Sequence, residues 1–574
     1  MFSLHDPIDE ALRETLRSYD DFTAALLARR GITTTAAAEA FLSPSYDEHI
    51  HDPMLMVDMP KAAERLARAI STKEKITVWS DYDCDGIPGG VVLHDFLKKA
   101  GADFTNYIPH RHNEGYGVSI PGIEKIAAAG TKLVVTVDVG IVDNDAVARA
   151  NELGMEVIVT DHHLPSGELP PAYAVVDPKA RADETYPFKE LCGGGIAWKL
   201  ACATLQHGFV GRDAIPAGWE KWLLDMAGLS TIADMVPLTG ENRVIAKYGL
   251  MVMRKSPRIG FQRLCKVARV NQKSITEDDV GFMIAPRVNA ASRMGDPRDA
   301  FTLFTTEDES EADELAKKLE AINRSRRAVA GATTKAVHER LEKRKLEGEL
   351  PTVIVMGDPD WRPGLLGLVA NGIAEEYARP VFLWGREGNE TLKGSCRAGG
   401  STSVNELMHA AEDAFLEFGG HAASGGFSIS AEQVSQLEAR LVEALATLPE
   451  AKTKVVRADA HLMLTEATTK FLFGLERFAP FGMKNEKPIF AFHDVLVTEV
   501  SWFGKAGEHL RLRILRDMFD DTTSEAITFY ARRELGDRST SLEEGARIHL
   551  LAYLERDQFS RGQPVRLRIL DIHT

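Results

Sequence analysis

Short apolar runs alternate with amphipathic stretches from residue 75 onward. Three of the runs, KITVWSDYD, LVVTVDVG and EVIVTDHH, are rich in β-branched residues and end in carboxylates or histidines. Stretches of helical spacing separate them over residues 91–100, 122–129 and 144–153. Strands that alternate with helices predict a parallel sheet with right-handed crossovers. Because ligands of such sheets bind at the carboxyl ends of the strands, the polar clusters lie where a site is expected.

The rest of the sequence predicts short helices, one long helix, a second α/β unit and a β-domain. Residues 1–65 are typical of short helices, with a helix stop at Arg30-Gly31 and a start signal in residues 33–35. An Ala-, Glu-, Lys- and Arg-rich stretch over residues 310–347 predicts one long helix that separates domains. A second α/β unit with a helix over residues 365–377 follows. From residue 455 the alternating pattern predicts a small barrel or sandwich.

We therefore expect an α/β protein of several domains. The predicted parts are an N-terminal helical segment over 1–65, a catalytic parallel-sheet domain over 66–260, a helical connector over 261–347, a smaller α/β domain over 348–452 and a β-domain over 455–574. A chain of 574 residues is long enough for this number of domains.

Carboxylates and imidazoles that suit a hard divalent cation follow the predicted strands. Oxygen ligands with one or two imidazoles favour Mg²⁺ or Mn²⁺ over a structural zinc site. A cluster this rich would hold two ions and clamp the attacking and leaving oxygens of a phosphoryl displacement. The candidates are Asp81, Asp83 and Asp85 of DYDCDG, Asp138, Asp161, His162, His163 and, further along the chain, Asp234.

Each of these motifs taken alone also permits a structural interpretation. DxDxDG begins an EF-hand loop, but Val92 stands where that loop needs its final Glu, so a calcium loop is not favoured. The motif would otherwise be a solvated turn, the histidine pair would be structural, and Asp138 or Asp234 would cap a helix. Three such clusters at strand ends of one sheet make coincidence the weaker interpretation.

Composition and charge exclude several classes of protein. The chain is 44% hydrophobic and 26% charged, which excludes collagen, mucin and wholesale disorder. Its 68 basic and 84 acidic residues give a net charge of −16, which argues against a basic nucleic-acid coat but not against an enzyme with a basic groove. The five cysteines form no CxxC pair, and neither a secretory signal nor a long apolar run is present. We expect a cytoplasmic protein without membrane contact.

The motifs and their order resemble the DHH phosphoesterase family, which is named after an Asp-His-His triplet. The resemblance rests on DYDCDG, TVDVG, TDHH and ADMVPLTGENR. It extends to the RecJ family of single-strand-specific exonucleases through IPHRHNEGYG, CGGGIAWKL, APRVNAASRM, WRPGLLGLVA, GSCR and FGGHAASGG. It covers nearly the whole chain and implies a DHH parallel-sheet domain and a smaller DHH-associated α/β domain joined by a long helix, with a C-terminal OB-type β-barrel.

The resemblance implies a phosphodiesterase site with two ions. The ions, Mn²⁺ or Mg²⁺, would activate water for attack on a phosphodiester. His163 would be a catalytic neighbour of the ligands that faces the substrate, and Asp81 would be a further ligand or an orienting group. The implied catalytic ligands are Asp83, Asp85, Asp138, His162 and Asp234.

The resemblance also implies residues that hold DNA. Arg111, Ser395 and Arg397 would grip a terminal 5′-phosphate, for which the fork of an arginine is suited. Tyr116 would offer a ring for base stacking. The remaining residues implied to bind DNA are Arg287, Asn289, Arg293 and His421.

Two glycine motifs and a set of arginines leave alternatives open. Gly193-Gly194-Gly195 and Gly419-Gly420 would bring backbone close to a phosphate or form tight turns before helices. Arginines at positions 511, 513, 566 and 568 alternate with other residues, which fits a single-strand groove or, with better odds, the charged exterior of a barrel. The first motif continues as IPGG over 87–90, where the family has Thr or Ser residues.

We predict a metal-dependent 5′-to-3′ exonuclease that degrades single-stranded DNA to 5′-mononucleotides in DNA repair and recombination. The direction is an implication of the resemblance and not of the chemistry. The implied partners are a RecQ-type helicase and a single-strand-binding protein, and a monomer is expected. Two alternatives stay open: a phosphoesterase of the same superfamily that acts on short oligonucleotides or nucleotide phosphates, and a non-catalytic replication scaffold.

Overall fold

The computed structural model describes residues 2–111, 113–386, 391–400, 402–449, 456–504, 507–517, 522–557 and 564–573. They divide into two compact units. The larger unit comprises Asp6–Asn323 and Lys470–Pro488, and the smaller one holds the other described residues. The domain boundaries given above stay predictions.

Short helices open the larger unit, as the sequence predicts. The predicted break at Arg30-Gly31 is confirmed, since Gly31 adopts a φ of +73° just after the second helix. The side chain of Thr34 caps the third helix by accepting a hydrogen bond from the N–H of Ala37. The four helices are α1 Glu10–Thr15, α2 Asp21–Arg29, α3 Thr35–Leu42 and α4 Tyr46–His49.

A parallel sheet with helices on both faces forms the core of the larger unit and confirms the predicted alternation of strands and helices. All pairings between its five strands are parallel. Apolar side chains on its two faces belong to two separate core clusters. The elements are α5 Met59–Thr72, β1 Ile76–Ser80, α6 Gly86–Lys99, β2 Phe104–Tyr107, α7 Ile120–Ala128, β3 Leu133–Val137, α8 Asn144–Glu152, β4 Glu156–Thr160 and β5 Ala174–Val176.

The order of the strands creates a crevice at one edge of this sheet. The order is β2-β1-β3-β4-β5, so the chain adds β2 on one side of β1 and β3 on the other. A crevice opens outside the carboxyl ends of the strands at such a switch point. Every residue of β1 and β3 is buried, as expected for parallel strands covered on both faces. The residues that follow β1 and β3 therefore meet in this crevice.

Helices complete the larger unit and continue into the smaller one. The long helix predicted over 310–347 is confirmed as α15 Glu309–Glu347, and the two units divide within it, at Arg324. Among the described helices, none is both long and apolar enough to cross a bilayer. Before α15 come α9 Gly193–His207, α10 Leu224–Ala233, α11 Gly240–Met253, α12 Ile259–Ala268, the π-helix Asp279–Ile284, α13 Ala285–Met294 and α14 Pro297–Thr305.

The first part of the smaller unit is the predicted second α/β unit. Its sheet has the order β6-β7-β8-β10-β9, in which β6 and β7 are parallel and the other pairs are antiparallel. The helix predicted over 365–377 is confirmed and begins two residues earlier. The elements are β6 Ile354–Gly357, α16 Pro363–Tyr377, β7 Val381–Arg386, β8 Leu392–Arg397, α17 Val404–Ala410, β9 Glu417–Gly420, β10 Ser424–Ile429 and α18 Val434–Thr447.

A closed β-barrel of five strands completes the smaller unit and confirms the predicted OB-type barrel. The barrel strands follow the order β12-β13-β14-β16-β15, and β15 pairs back onto β12. The two-residue strand β11 adds to β12 from outside. The elements are β11 Ala460–His461, α19 Thr469–Leu475, β12 Phe490–Phe503, β13 His509–Leu515, β14 Thr523–Thr528, α20 Ala531–Leu535, β15 Arg547–Arg556 and β16 Val565–His573. Of these elements, α19 lies in the larger unit apart from its first residue.

One buried arginine fastens the segment 470–488 to the rest of the larger unit. Arg243 of α11 is 1% exposed, and burial lowers the pKa of its guanidinium to about 9. Its nitrogens donate to the carbonyl of Phe41 at 2.6 Å and to that of Phe478 at 2.7 Å. They also donate to the carbonyls of Arg477, Ala479 and Pro480. This side chain therefore joins α3 to a segment more than 400 residues away in the chain.

We expect Arg243→Ala to lower the free energy of unfolding by roughly 3 kcal/mol, since it leaves several buried carbonyls without a donor. Urea unfolding followed by circular dichroism measures the change. Arg68→Ala, a change at an exposed arginine of α5, is the control and should stay within about 0.5 kcal/mol of wild type. Equal stabilities of the two variants would contradict the role of Arg243.

Candidate metal centre

The DYDCDG loop leads from β1 into α6 and is closed by its own side chains. The N–H of Asp81 donates to the carbonyl of Val137 at 3.1 Å, which continues the pairing of β1 with β3. Asp83 Oδ1 accepts from the N–H of Asp85 at 2.8 Å and from that of Gly86 at 3.2 Å. This is the pattern of a helix cap, so Asp83 fixes the start of α6. The loop holds its three carboxylates at the carboxyl end of β1.

The first amides of α9 bind the carboxylate of Asp85. The N–H of Gly193 donates to Oδ2 at 2.7 Å and the N–H of Gly194 donates to Oδ1 at 2.8 Å. The hydroxyl of Ser230 donates to the same Oδ1. A helix N-terminus favours negative charge, so these donors stabilise the ionised carboxylate.

Two of the three glycines in the first turn of α9 are required, because Asp138 and Ser230 approach them closely. A Cβ on Gly193 would lie 2.5 Å from the Cβ of Asp138, and one on Gly194 would overlap the hydroxyl of Ser230. Gly195 differs, since its nearest neighbour would be Cys192 Sγ at an ordinary 3.5 Å. The sequence left a phosphate cradle or a plain turn as alternatives for this motif. The structure shows a turn whose amides bind a protein carboxylate.

Asp138 enters the crevice through an unusual backbone conformation. It follows β3 with a φ of +63°. Residues other than glycine rarely adopt this left-handed conformation, which costs them roughly 1–3 kcal/mol. Its N–H donates to the carbonyl of Thr160 at 3.0 Å, which ties it to β4. Such strain is common at functional sites.

Three carboxylates surround one nitrogen of His162. Its Nε2 lies 3.2 Å from Asp138 Oδ1, 3.6 Å from Asp85 Oδ2 and 3.8 Å from Asp234 Oδ2. Asp234 comes from the residue that ends α10, and Met235 after it has a φ of +61°. Residues from β1, β3, β4 and α10 thus converge on a single point.

Asp161, the first residue of the triplet, orients its neighbours. Its Oδ1 accepts from the N–H of His162 at 2.8 Å and from Nδ1 of His163 at 2.8 Å. Its Oδ2 accepts from the N–H of Ile141 at 3.0 Å. Burial lowers the pKa of His163, but the bond to Asp161 and the charges around it outweigh burial and raise that pKa to about 9. Asp161 therefore holds His163 in its protonated form.

The clustered side chains suit two neighbouring cations. The ligand atoms within each of three groups lie within 4.8 Å of one another, and the groups share Asp138 and His162. Asp81 Oδ1 and Asp138 Oδ1 are buried and form no hydrogen bond. Hard oxygens with imidazole match the preferences of Mn²⁺ and Mg²⁺. The groups are Asp81, Asp83 and Asp138; Asp85, His162 and Asp234; and Asp138, His162 and His163.

Burial and mutual repulsion raise the pKa of most of these carboxyl groups. Burial is the largest cause for Asp81, Asp83 and Asp138, and neighbouring carboxylates add to it. The pKa of Asp234 rises to about 9 through burial and the charges of Asp85 and Asp83. A bound cation would favour the ionised forms and release the protons that these groups otherwise hold.

Arg111 and two tyrosines border the cluster. The Arg111 guanidinium carbon lies 5.1 Å from the centre of the Tyr82 ring. The ring of Tyr116, which is 51% exposed, lies 6.3 Å from that of Tyr82 and 6.2 Å from that of His163. The structure thus brings Arg111 and Tyr116 to the site. Sequence reasoning missed Tyr82, although its place between Asp81 and Asp83 was a signal.

The three residues of α13 that the sequence predicts to bind DNA differ in their surroundings. Asn289 Oδ1 accepts from the N–H of Cys84 at 2.9 Å and so supports the DYDCDG loop. Arg287 is buried and forms an ion pair with Glu320 of α15 at 2.7 Å. Arg293 is half-buried one turn beyond Asn289.

Three further candidates lie in the smaller unit. Ser395 and Arg397 belong to β8, and Ser395 pairs with Gly426 of β10. Arg397 lies against α16, where a Cβ on Gly367 would be 2.7 Å from its Nη2. His421 is exposed just after β9, and its N–H donates to the carbonyl of Ser424 at 2.8 Å.

Three family models match the chain. The DHH family, N-terminal domain, matches residues 75–227, the DHHA1 domain matches residues 350–447, and the RecJ OB domain matches residues 458–571. Several curated relatives carry the name single-stranded-DNA-specific exonuclease RecJ, among them one from Bacillus subtilis and one from Escherichia coli. The one from Bacillus subtilis is 34% identical over 96% of this chain and 67% of its own length. The one from Escherichia coli is 33% identical over 75% of this chain and 77% of its own length.

Solved structures with bound cations have a similar fold. The crystal structure of RecJ from Thermus thermophilus in complex with Mn²⁺ superposes with a TM-score of 0.81 at 26% identity, over 100% of this chain and 78% of the other. The complex of the same protein with Mg²⁺ gives a TM-score of 0.74 at 25% identity, over 100% and 77%.

We expect Gly194→Ala to weaken Mn²⁺ binding by roughly tenfold or more, because the added methyl displaces Ser230 and the amides that hold Asp85. Isothermal titration calorimetry measures the affinity. Gly195→Ala is the matched control, since its Cβ meets only ordinary contacts, and it should stay within about twofold of wild type. A loss of the same size in both variants would argue against the clamp on Asp85.

The Mn²⁺ affinity should also depend on pH. Groups with a raised pKa, such as Asp234 at about 9, hold protons that the cation must displace, so affinity should fall as the pH is lowered from about 9 to about 6. Titrations at several pH values, in buffers of different ionisation enthalpy, measure both the affinity and the protons released. An affinity independent of pH over this range would contradict the raised pKa values.

Proposed function

The chain belongs to the RecJ family, and we propose that it is a single-stranded-DNA-specific exonuclease that degrades DNA from the 5′ end to 5′-mononucleotides. The observation that carries this proposal is the convergence of Asp83, Asp85, Asp138, His162 and Asp234 at the carboxyl edge of the sheet. The metals of the reaction are Mn²⁺ or Mg²⁺, and we propose two ions, because the three ligand groups overlap.

We propose that the clustered side chains bind the cations and fix their positions. Bound cations would supply an activated water and neutralise charge on the phosphate. Asp138 would contribute to both cation positions, since it is grouped with Asp81 and Asp83 and its Oδ1 also lies 3.2 Å from His162 Nε2. Asp85 is held by Gly193, Gly194 and Ser230, so its orientation is fixed before any ligand binds.

His163 would hold the phosphate of the substrate. Its Nδ1 is bonded to Asp161, its side chain is 42% exposed, and the bond to Asp161 raises the pKa of the ring and so favours its protonated form. The remaining Nε2–H is therefore a donor, and a charge-assisted hydrogen bond to a phosphate oxygen is strong. Arg111 beside Tyr82 supplies a second positive group next to the cluster.

The 5′ direction rests on the residues that the family uses for a terminal phosphate. We propose that role for Arg111, for Ser395 and for Arg397, and a contact with the strand for His421. Burial lowers the pKa of Arg397, and its Nη1 donates to the carbonyl of Cys396 at 2.7 Å, which orders the guanidinium. Tyr116 offers an exposed ring to a base next to the site.

We propose that one end of the barrel holds unpaired bases. Trp502 is 38% exposed and Tyr530 is 53% exposed, and the guanidinium of Arg568 lies 3.9 Å from the ring centre of Phe529. Aromatic rings of this kind hold bases of any sequence. The other alternating arginines pair with carboxylates, as in Arg511–Glu525, Arg513–Glu499 and Arg566–Glu555, which favours the charged exterior for them.

The cellular compartment, the process and the protein partners of this activity are also proposals. A DNA substrate and five free cysteines favour the cytoplasm. DNA repair and recombination, with a RecQ-type helicase and a single-strand-binding protein, is the process in which a monomer of this family would act. The full set of candidate metal ligands argues against a non-catalytic scaffold. The barrel argues against a phosphoesterase for very short substrates, which need no additional single-strand surface.

A strand labelled at either end tests the function. With Mn²⁺, a 5′-labelled single strand should release labelled mononucleotide first, a 3′-labelled strand should shorten stepwise, a duplex should resist, and EDTA should stop hydrolysis.

Asp138→Ala should abolish hydrolysis, by at least roughly a thousandfold, and keep single-strand binding, because it removes a shared ligand. Asp145→Ala, a change at an exposed aspartate of α8, is the control and should remain active. Release from the 3′ end would refute the direction, and an active Asp138 variant would refute the site.

A further inference from the structure

An exposed aromatic side chain lies in the helical segment that supports the DYDCDG loop. Phe282 is 75% exposed and belongs to the π-helix Asp279–Ile284, which runs directly into α13. π-helical turns are rare and frequently accompany functional sites. Neither the fold nor the metal centre requires a large ring at this position.

Burial divides this segment into two interleaved faces. Residues of one face are spaced by three or four positions, as helical geometry requires. The buried face comprises Val280, Ile284, Val288 and Ala291, each completely buried. The accessible face comprises Phe282, Pro286, Asn289 and Arg293, none of which is buried.

The accessible face leads to the metal centre. Asn289 on this face accepts a hydrogen bond from the N–H of Cys84, which stands between Asp83 and Asp85. The charge of Arg293 is close enough to act on the hydroxyl of Tyr82. Phe282 lies seven residues before Asn289, which is about 10 Å along a helix at ~1.5 Å per residue. At ~3.4 Å per nucleotide, this is the length of about three stacked nucleotides.

We propose that Phe282 stacks on a base of the substrate strand a few nucleotides from the phosphodiester that is hydrolysed. The inference rests on the proposed function and adds a residue that binds the strand away from the reacting atoms. An aromatic ring binds any base through its π-face, so Phe282 contributes affinity and not sequence preference. In a duplex, neighbouring pairs cover both faces of each base. The contact therefore favours unpaired strands.

Kinetics of Phe282→Ala test this role. The variant should raise KM for a single strand about tenfold, the size expected for one lost stack, with kcat within about twofold of wild type. Phe282→Tyr should restore KM, because it keeps the ring. Phe473→Ala of α19, a change at a phenylalanine that is 68% exposed, is the matched control and should leave KM unchanged. An unchanged KM in Phe282→Ala, or an equal rise in the control, would overturn the proposal.

A scan with abasic nucleotides locates the stacked base. Strands that lack one base at each of the first several positions are degraded by wild type and by Phe282→Ala. At the position that Phe282 contacts, wild type should show a rise in KM of about tenfold and the variant should not respond, since its stack is already lost, whereas both should respond alike at positions that other rings contact. A variant that responds at every position as wild type does would overturn the assignment. Failure of wild type to degrade the intact strand would instead refute the proposed function.

Discussion

Repulsion among buried carboxylates is the constraint on which the rest of this structure depends. Asp81, Asp85 and Asp138 are buried, Asp83 and Asp234 are half-buried, and the five carboxylates lie close together. Two like charges about 4 Å apart repel by roughly 4 kcal/mol at an effective dielectric constant near 20. The amides of α9 offset the charge of one carboxylate only. The others hold protons or require cations, so this cluster is built for a ligand of opposite charge.

The fold produces this crowding through close packing of glycines. A Cβ on Gly89 of α6 would lie 2.7 Å from Val137 Cγ1 of β3 and 2.9 Å from the Cα of Gly194 of α9. The two helices therefore touch backbone to backbone at the carboxyl end of β3, and their first turns bind neighbouring carboxylates, that of Asp83 at α6 and that of Asp85 at α9. This contact accounts for Gly89 of the IPGG sequence, which departs from the family pattern. A larger residue at position 89 would separate α6 from α9 and widen the cluster.

The sequence predicted what depends on local periodicity. The parallel sheet and the helix α15 follow from strand and helix spacing, and the rule that ligands bind at strand ends placed Asp83, Asp138 and His162 in one crevice. For the C-terminal strands the spacing left a barrel or a sandwich open, and the family resemblance implied the barrel. Contacts through space were not predictable. The sequence around Gly194 does not predict that its N–H donates a hydrogen bond to Asp85, which lies more than 100 residues earlier in the chain. In the same way, the five carbonyls that Arg243 binds come from segments about 200 residues away on either side.

Net charge is a poor guide to the partner of such a protein, and the structure explains why. The overall charge of −16 suggests repulsion from DNA, yet part of that charge lies in carboxylates that cations would neutralise. Three of the four alternating arginines of the barrel, which suggest attraction, pair with Glu525, Glu499 and Glu555. The features that we propose to bind the strand are local: a cation cluster for the phosphate, and exposed rings such as Tyr116, Trp502 and Tyr530 for the bases. Recognition of a single strand then depends on stacking and metal chemistry more than on a broad basic surface.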